Sequence, residues 1–203
     1  MPATTPVAKP PRVTKRRAET RARLIKASFH VFSDKGYGHV TIEDVCEAAG
    51  YTRGAFYSQF ESLEELFFLL YDQWAARTAE QVLTAMDDSD PVADLRGAVE
   101  RIVDTLLLER DWLLIKFDFL LYAARNPELA HRWEVHRAQL RKVIEERLIA
   151  SGIDSHKSSG TAPDTARAII AAYDGVSVQL LLDSDQVAAR AWLTQLMSVV
   201  LTR

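Results

Sequence analysis

Apolar residues recur at intervals of three and four along almost the whole chain, and almost nowhere in strict alternation. That period predicts helices rather than strands. Over 15–35 the face is Ile25, Phe29 and Phe32, and over 41–49 it is Ile42, Val45, Cys46 and Ala49. A short helix through Arg53–Tyr57 follows, then one from Ser62 to about Met86, with Glu65 completing a capping box. Asp90-Pro91 opens a fifth, carrying Leu95, Val99, Ile102 and Leu106, since proline suits a first helical position. Asp111 caps a sixth over 112–124, and Asn126-Pro127 opens a seventh that reaches about 150. The polar, glycine-containing stretch 151–163 predicts a loop before two final helices, about 164–182 and 185–202. There is no internal repeat. The fold class is all-α.

The segment Val40–Phe60, VTIEDVCEAAGYTRGAFYSQF, narrows this to a motif. Thr41 can cap the first of its helices, with Asp44 three residues on as the second half of a capping box. Gly50 can take the left-handed conformation that ends it. Thr52 then caps the second helix, in which Ala55 and Phe56 pack inward, with Phe60 just beyond. Thr52, Arg53, Gly54 and Tyr57 are left outward. Two short helices at a fixed angle, the second showing hydroxyls, a guanidinium and bare backbone, match a helix-turn-helix with its recognition helix.

The run GYGHVTIEDVCEAAGYTRGAFYSQFESLEELF resembles the DNA-binding domain of TetR-family transcriptional regulators. The likeness rests on Gly36-Tyr37, Thr41, Val45-Cys46, Ala49-Gly50-Tyr51-Thr52, Gly54, Phe56-Tyr57, Phe60, Ser62 and Glu64, and covers about residues 20–70. It departs from the family pattern at Gln59, where His is usual, and at Leu63, where Lys is usual. Both positions usually touch phosphate in the family. Gln59 can still donate a hydrogen bond; Leu63 cannot, so one phosphate contact is expected to be missing.

Charge distribution fits that reading better than net charge does. The formal net charge is −3, but the chain through Phe60 holds ten Lys/Arg against five Asp/Glu. A basic head on an acidic body steers the head toward phosphate. Arg12, Arg16 and Arg17 would approach the DNA backbone or an adjacent minor groove. Arg53 suits the O6 and N7 acceptors of guanine. Thr52 and Tyr57 are expected phosphate contacts, helped by Thr41, Gln59 and the backbone N–H of Gly54.

Other function classes find little support. The longest apolar candidate for a membrane span, 112–124, is interrupted by Lys116 and Asp118. The basic N-terminus has no apolar stretch behind it, so no secretory signal is read. A single cysteine, Cys46, excludes an internal disulfide, and the expected location is cytoplasmic. Glu128 and His131 match one Glu-x-x-His of a di-iron bundle, but such sites need a second, and none exists. No catalytic residue, metal or cofactor is expected.

The expected organisation is a disordered basic arm (1–13), a helix-turn-helix DNA-binding domain of three helices (14–61), and an all-helical ligand-binding and dimerisation domain (62–203). The resemblance implies a homodimeric regulator, a repressor before an activator, that binds a palindromic double-stranded operator and is released by a small-molecule effector. Helices 8 and 9 carry broad apolar stripes, Ala168, Ile169, Ala172, Tyr173, Val176 and Leu180, then Trp192, Leu193, Leu196, Val199 and Val200. Packing them on their twofold mates would form the dimer, Ala171, Ala172 and Gly175 permitting close approach. An apolar or aromatic effector would meet Trp112, Lys116, Phe119, Tyr122, Trp133, His136 and Tyr173. For any one of these aromatics core packing is the more expected role, whereas His136 is either a pocket group or a satisfied core histidine. Lys116 and Asp118, two apart on a helix, point different ways. The alternatives are a helical scaffold or sensor that has lost DNA binding and, last, a helical-bundle enzyme.

Overall fold

The computed structural model describes residues 15–87, 95–106, 108–150 and 161–202. The expected arm, with Arg12, and the Asp90-Pro91 helix start lie outside these residues. The described residues form helices and no strand: α1 (Lys15–Lys35), a 3-10 turn (Tyr37–His39), α2 (Ile42–Ala49), α3 (Arg53–Tyr57), α4 (Leu63–Asp87), α5 (Leu95–Thr105), α6 (Arg110–Ala124), α7 (Pro127–Ala150), α8 (Ala162–Asp183) and α9 (Gln186–Thr202).

The head is set by local chemistry. Thr41 Oγ1 accepts from Asp44 N at 3.2 Å while Asp44 Oδ2 accepts from Thr41 N at 2.9 Å, closing the capping box of α2. Gly50, at φ 72°, ends that helix in the left-handed region that glycine tolerates. Thr52 Oγ1 accepts from Ala55 N at 3.3 Å and starts α3. The face of α1 turned inward holds Leu24, Ile25, Val31 and Phe32, which meet Val45, Phe56 and Phe60 in one buried cluster. Each large side chain buried this way contributes about 1.5–3 kcal/mol.

α4 leads out of the head into the body, where α8 packs on α9 and α7, α5 on α4 and α9, and α6 on α7, α8 and α1. Three expected starts shift. Ser62 Oγ does accept from Glu65 N at 3.2 Å, but the Glu65 carboxylate reaches back to Glu61 N at 2.6 Å, one residue beyond the expected box. α6 begins at Arg110 with Glu109 in the cap position, so Asp111 stands in the first turn as an acid favoured by the helix dipole. α8 begins at Ala162, and its cap is Thr161, boxed with Asp164, with Pro163 inside the first turn. Thr161–Pro163, expected at the end of the 151–163 loop, instead make the cap and first turn of this helix, and residues 151–160 of that loop lie outside the described residues.

Candidate functional site

The head residues expected to face DNA are placed on its outer surface. Thr41, Thr52, Arg53, Gly54 and Tyr57 are all exposed, while Phe56 between them is fully buried. A side chain at Gly54 would meet only Thr52 Oγ1, at 3.8 Å, so nothing within the chain requires glycine there. Arg53 is not free. Its Nη1 lies 2.7 Å from Glu43 Oε1, and its Nη2 donates to the Tyr57 hydroxyl at 3.5 Å. The Tyr57 hydroxyl first, then Glu43, raises the pKa of the guanidinium further. Glu43 was not singled out from the sequence, since two residues ten apart give no periodic signal; the α2–α3 turn brings them together.

The flank of the head is built from α1. Arg17 Nη2 donates to Ser58 O at 3.3 Å, and Arg21 Nη1 donates to Gln59 O at 3.3 Å while lying over the Phe60 ring. These arginines satisfy carbonyls at the end of α3. Arg16, Arg17, Thr20, Ser58 and Gln59 line a shallow depression on this side. Gln59 donates one amide N–H to Ser58 Oγ at 3.0 Å, which engages one of its two amide donors within the chain. Leu63 is half-buried and packs on the core, which gives the departure from lysine a packing role.

The residues expected to meet an effector divide into two sets. Trp112, Phe119 and Trp133 are core. Phe119 stacks on Phe67 with ring centres 3.6 Å apart, Trp112 stacks on Trp74 at 4.9 Å, and Trp133 stands edge-on to Tyr71 at 4.9 Å. Tyr122 is exposed on one side and leans on Tyr37 at 5.1 Å. His136 is a satisfied histidine at the core's edge: its ring stacks on Phe68 at 4.5 Å, and Nδ1 lies 3.0 Å from Asp72 Oδ1. In this cluster the Trp133 indole N–H and the Tyr37 hydroxyl are buried without a hydrogen-bond partner. Burial drives the Tyr37 phenol far above its usual range.

Lys116 is buried, and its ammonium lies 2.6 Å from Asp174 Oδ1 and 4.7 Å from the Tyr173 ring centre. Arg137 Nη2 holds the other carboxylate oxygen at 2.7 Å. Two cations thus share one anion between α6, α7 and α8. Burial pushes the Lys116 pKa down against the pull of Asp174. Burial alone would raise Asp174, but Lys116 and Arg137 outweigh it and hold the carboxyl below its usual value. Arg137 and Asp174 carry no sequence signal, because each lies on a helix remote in sequence from Lys116. As expected, Lys116 and Asp118 diverge. Asp118 faces the head, its Oδ2 2.9 Å from where a Cβ on Gly36 would stand. Gly36 is favoured by its φ of 76°, and a side chain there would also oblige the Asp118 carboxylate to shift.

Among the described residues no group of three or more His, Cys, Asp or Glu could hold a metal ion. Glu128 sits in the first turn of α7, at whose start Asn126 Oδ1 accepts from Glu128 N at 3.1 Å. No described helix is long and apolar enough to cross a membrane.

A three-helix head showing an exposed, capped third helix, joined to an all-helical body, defines a helix-turn-helix regulator. Residues 24–70 match the bacterial regulatory proteins of the tetR family, and residues 91–202 match the C-terminal part of BetI-type transcriptional repressors. The chain belongs to the TetR family. It is 30% identical over 130 residues to the HTH-type transcriptional repressor AcnR of Corynebacterium efficiens, a match covering 64% of each chain and so just under two thirds of that relative's length. It is 29% identical over 176 residues to the HTH-type transcriptional regulator CymR of Pseudomonas putida, covering 84% of each. Among solved structures it is similar to the multidrug binding protein EbrR complexed with imidazole, at TM-score 0.64 and 28% identity, covering 94% of this chain and 96% of that one.

Proposed function

We propose that this chain is a one-component transcriptional repressor, acting as a homodimer on a palindromic operator in the bacterial cytoplasm and released by a small molecule. The observation that carries DNA binding is the exposed polar face of α3, Thr52, Arg53, Gly54 and Tyr57, held by two satisfied caps on a basic head. Arg53 reads a base edge; Thr52, Tyr57, Thr41 and the Gly54 N–H meet phosphate; Arg16 and Arg17 flank them. Two heads would enter major grooves roughly 34–36 Å apart for half-sites one turn apart.

The dimer reading is supported by an apolar stripe that the protomer leaves uncovered. Leu182 is 76% exposed, Val187 81% and Trp192 61%, with Val178, Leu196 and Val199 beside them. Ala171 and Gly175 are exposed on the same helix as Val178 and Leu182, and nothing stands within 4 Å of a Cβ built on Gly175. By contrast Val176, Leu180 and Leu193 face inward and close the protomer's own core. The interface is thus narrower than the apolar stripes of α8 and α9 suggest.

The effector reading rests on the aromatic cluster and its two orphaned donors. Leaving a donor buried and unpaired costs about 1–3 kcal/mol. A ligand with an aromatic body and a hydrogen-bond acceptor would satisfy Tyr37 Oη or Trp133 Nε1 while parting Phe119 from its neighbours. Tyr122, His136, Tyr173 and Lys116 would border it. That EbrR binds multiple drugs is in keeping with this class of ligand.

The test is selection of duplexes from a random pool by the purified protein, then binding measured across salt. Recovery of a palindrome whose affinity falls steeply with salt supports the reading. Equal binding to selected and scrambled duplex would sink it. A panel of acceptor-bearing aromatic compounds then tests release: those that raise the melting temperature should lower operator affinity.

A further inference from the structure

Arg53, the residue best suited to read a base, is already occupied in the absence of DNA. Its guanidinium is pinned between the Glu43 carboxylate at 2.7 Å and the Tyr57 hydroxyl at 3.5 Å, with its central carbon 5.9 Å from the Tyr57 ring centre. The ion pair is exposed on both sides, 60% for Arg53 and 56% for Glu43, and exposed pairs add little to stability. Nor is Glu43 needed to cap α2, since Thr41 and Asp44 do that. Yet a carboxylate on a surface built to meet phosphate opposes binding. The helix dipole favours an acid in this first turn of α2, as it does Asp111 in α6, but it does not account for the aim of the carboxylate at Arg53, which calls for an explanation in recognition.

We propose that Glu43 is a specificity-determining residue of the DNA interface, holding the Arg53 fork in place and cancelling its charge. The inference rests on the reading of the head as a duplex-DNA binder. A guanidinium has five N–H donors; Glu43 and Tyr57 engage two, and the three left are enough for a bidentate pair with guanine O6 and N7. Those acceptors are neutral, so reading them depends on the aim of the fork, which the pairing preserves. Phosphate contact depends on net charge and counterion release, which the pairing removes. An unpaired arginine at this place would gain from any duplex almost equally. Held by Glu43, it gains chiefly where a guanine stands opposite, and less side-chain freedom is lost on binding. Glu43 touches Arg53 and acts through it, so it is a positioning residue.

The experiment uses the full chain with the duplex that the wild-type protein selects and a scrambled duplex, followed by fluorescence anisotropy across a salt series. Glu43→Gln removes the charge and keeps an acceptor; Glu43→Ala removes both. Both variants should bind scrambled duplex more tightly, with a log–log salt slope steeper by about 0.9 per head. The ratio of selected to scrambled affinity should fall by about fivefold or more, the lower end of what one bidentate arginine–guanine pair discriminates, and further for Ala than for Gln. With Arg53→Ala already in place, Glu43→Ala should leave that ratio unchanged. A selected-to-scrambled ratio intact in both single variants, even where affinity falls equally on both duplexes, overturns the role of Glu43 while the regulator reading stands. A wild-type protein with no sequence preference overturns both.

Discussion

Asp174→Asn should be the most damaging single change of charge in the body. Asn keeps the shape and one acceptor oxygen but leaves two cations without their anion. Arg137 can lean outward, its side chain being 28% exposed, whereas Lys116, at 6%, cannot. Removing one partner of a buried pair costs about 3–5 kcal/mol. Lys116 has one escape, to shed its proton. Holding a lysine neutral at pH 7 against an ordinary pKa of about 10.4 costs roughly 4.6 kcal/mol at about 1.36 kcal/mol per unit, which caps the damage. The expected loss is therefore about 3–4 kcal/mol, a large share of the roughly 5–15 kcal/mol that holds a domain together. The linkage has a definite sign. A lysine neutral when folded and protonated when unfolded makes the unfolded state the better proton binder, so the variant's deficit should shrink as pH rises from 7 to 9. Lys116→Met with Asp174→Leu removes both buried charges and should cost only about 1–2 kcal/mol, because filling such a site with apolar groups is often near neutral. The assay is urea unfolding followed by circular dichroism at fixed protein concentration, since a dimer's stability depends on it. A loss under about 1 kcal/mol with no pH slope would refute the claim that Lys116 is shielded from water and that its pairing with Asp174 holds α6 to α8.

Gly54→Ala should raise fold stability by about 0.5–1 kcal/mol, because glycine weakens a helix and the added methyl meets only Thr52 Oγ1 at 3.8 Å. It should weaken duplex binding several-fold by standing where a phosphate approaches; unimpaired binding in a gel shift would show that the backbone makes no such approach. Trp192→Glu, at a site 61% exposed in the protomer, should leave helix content intact and give monomers by light scattering, and a persisting dimer would place the interface elsewhere. Asp44, held at a pKa of about 2 by Lys35 and by the Thr41 backbone, against 3.8 ordinarily, stabilises the head above about pH 4, and that contribution is lost as pH falls toward 2. Asp44→Asn should flatten this acid slope in thermal melts, and an unchanged slope would assign it to another group.

What the sequence made legible is what depends on neighbours in the chain. Both caps of the recognition motif, the left-handed Gly50 and the inward Phe56 follow from residue types within four positions of each other. Helix starts shifted where the capping residue lay inside a polar stretch: Thr161, boxed with Asp164, opens α8 two residues before the expected start. The site was legible only in part, for the same reason. Arg53 is visible as a guanidinium on an outward face, but Glu43 reaches it only after the turn has folded. The aromatics of α6 were visible as a cluster, yet composition does not separate a lined cavity from a filled one, and Phe119 turns out to be fully buried against Phe67. The Lys116–Asp174–Arg137 triad joins residues 58 and 37 apart in sequence, and no local pattern announces it.

The joint between head and body constrains how any effector could act. Tyr37 belongs by sequence to the head, in the turn that follows α1, but its ring lies among body rings, 4.7 Å from Phe119 and 5.6 Å from Phe67. Gly36 next to it sits against the Asp118 carboxylate of α6, which would have to shift to admit a side chain. The same Phe119 lies 5.5 Å from Trp133. A ligand inserted between Phe119 and Trp133 therefore cannot shift Phe119 without shifting the seat of Tyr37, because a close-packed interior transmits displacement rather than absorbing it. α4 provides the second connection. It runs unbroken from Leu63, next to the head, through Phe67, Phe68 and Tyr71 in the cluster, and its 25 residues span about 37 Å. A small tilt at the cluster becomes a larger displacement at the head, and two heads must match one operator spacing. On the proposed reading, ligand and DNA would compete through a single equilibrium between two packings, which needs differential affinity for the two states rather than overlap of the two sites.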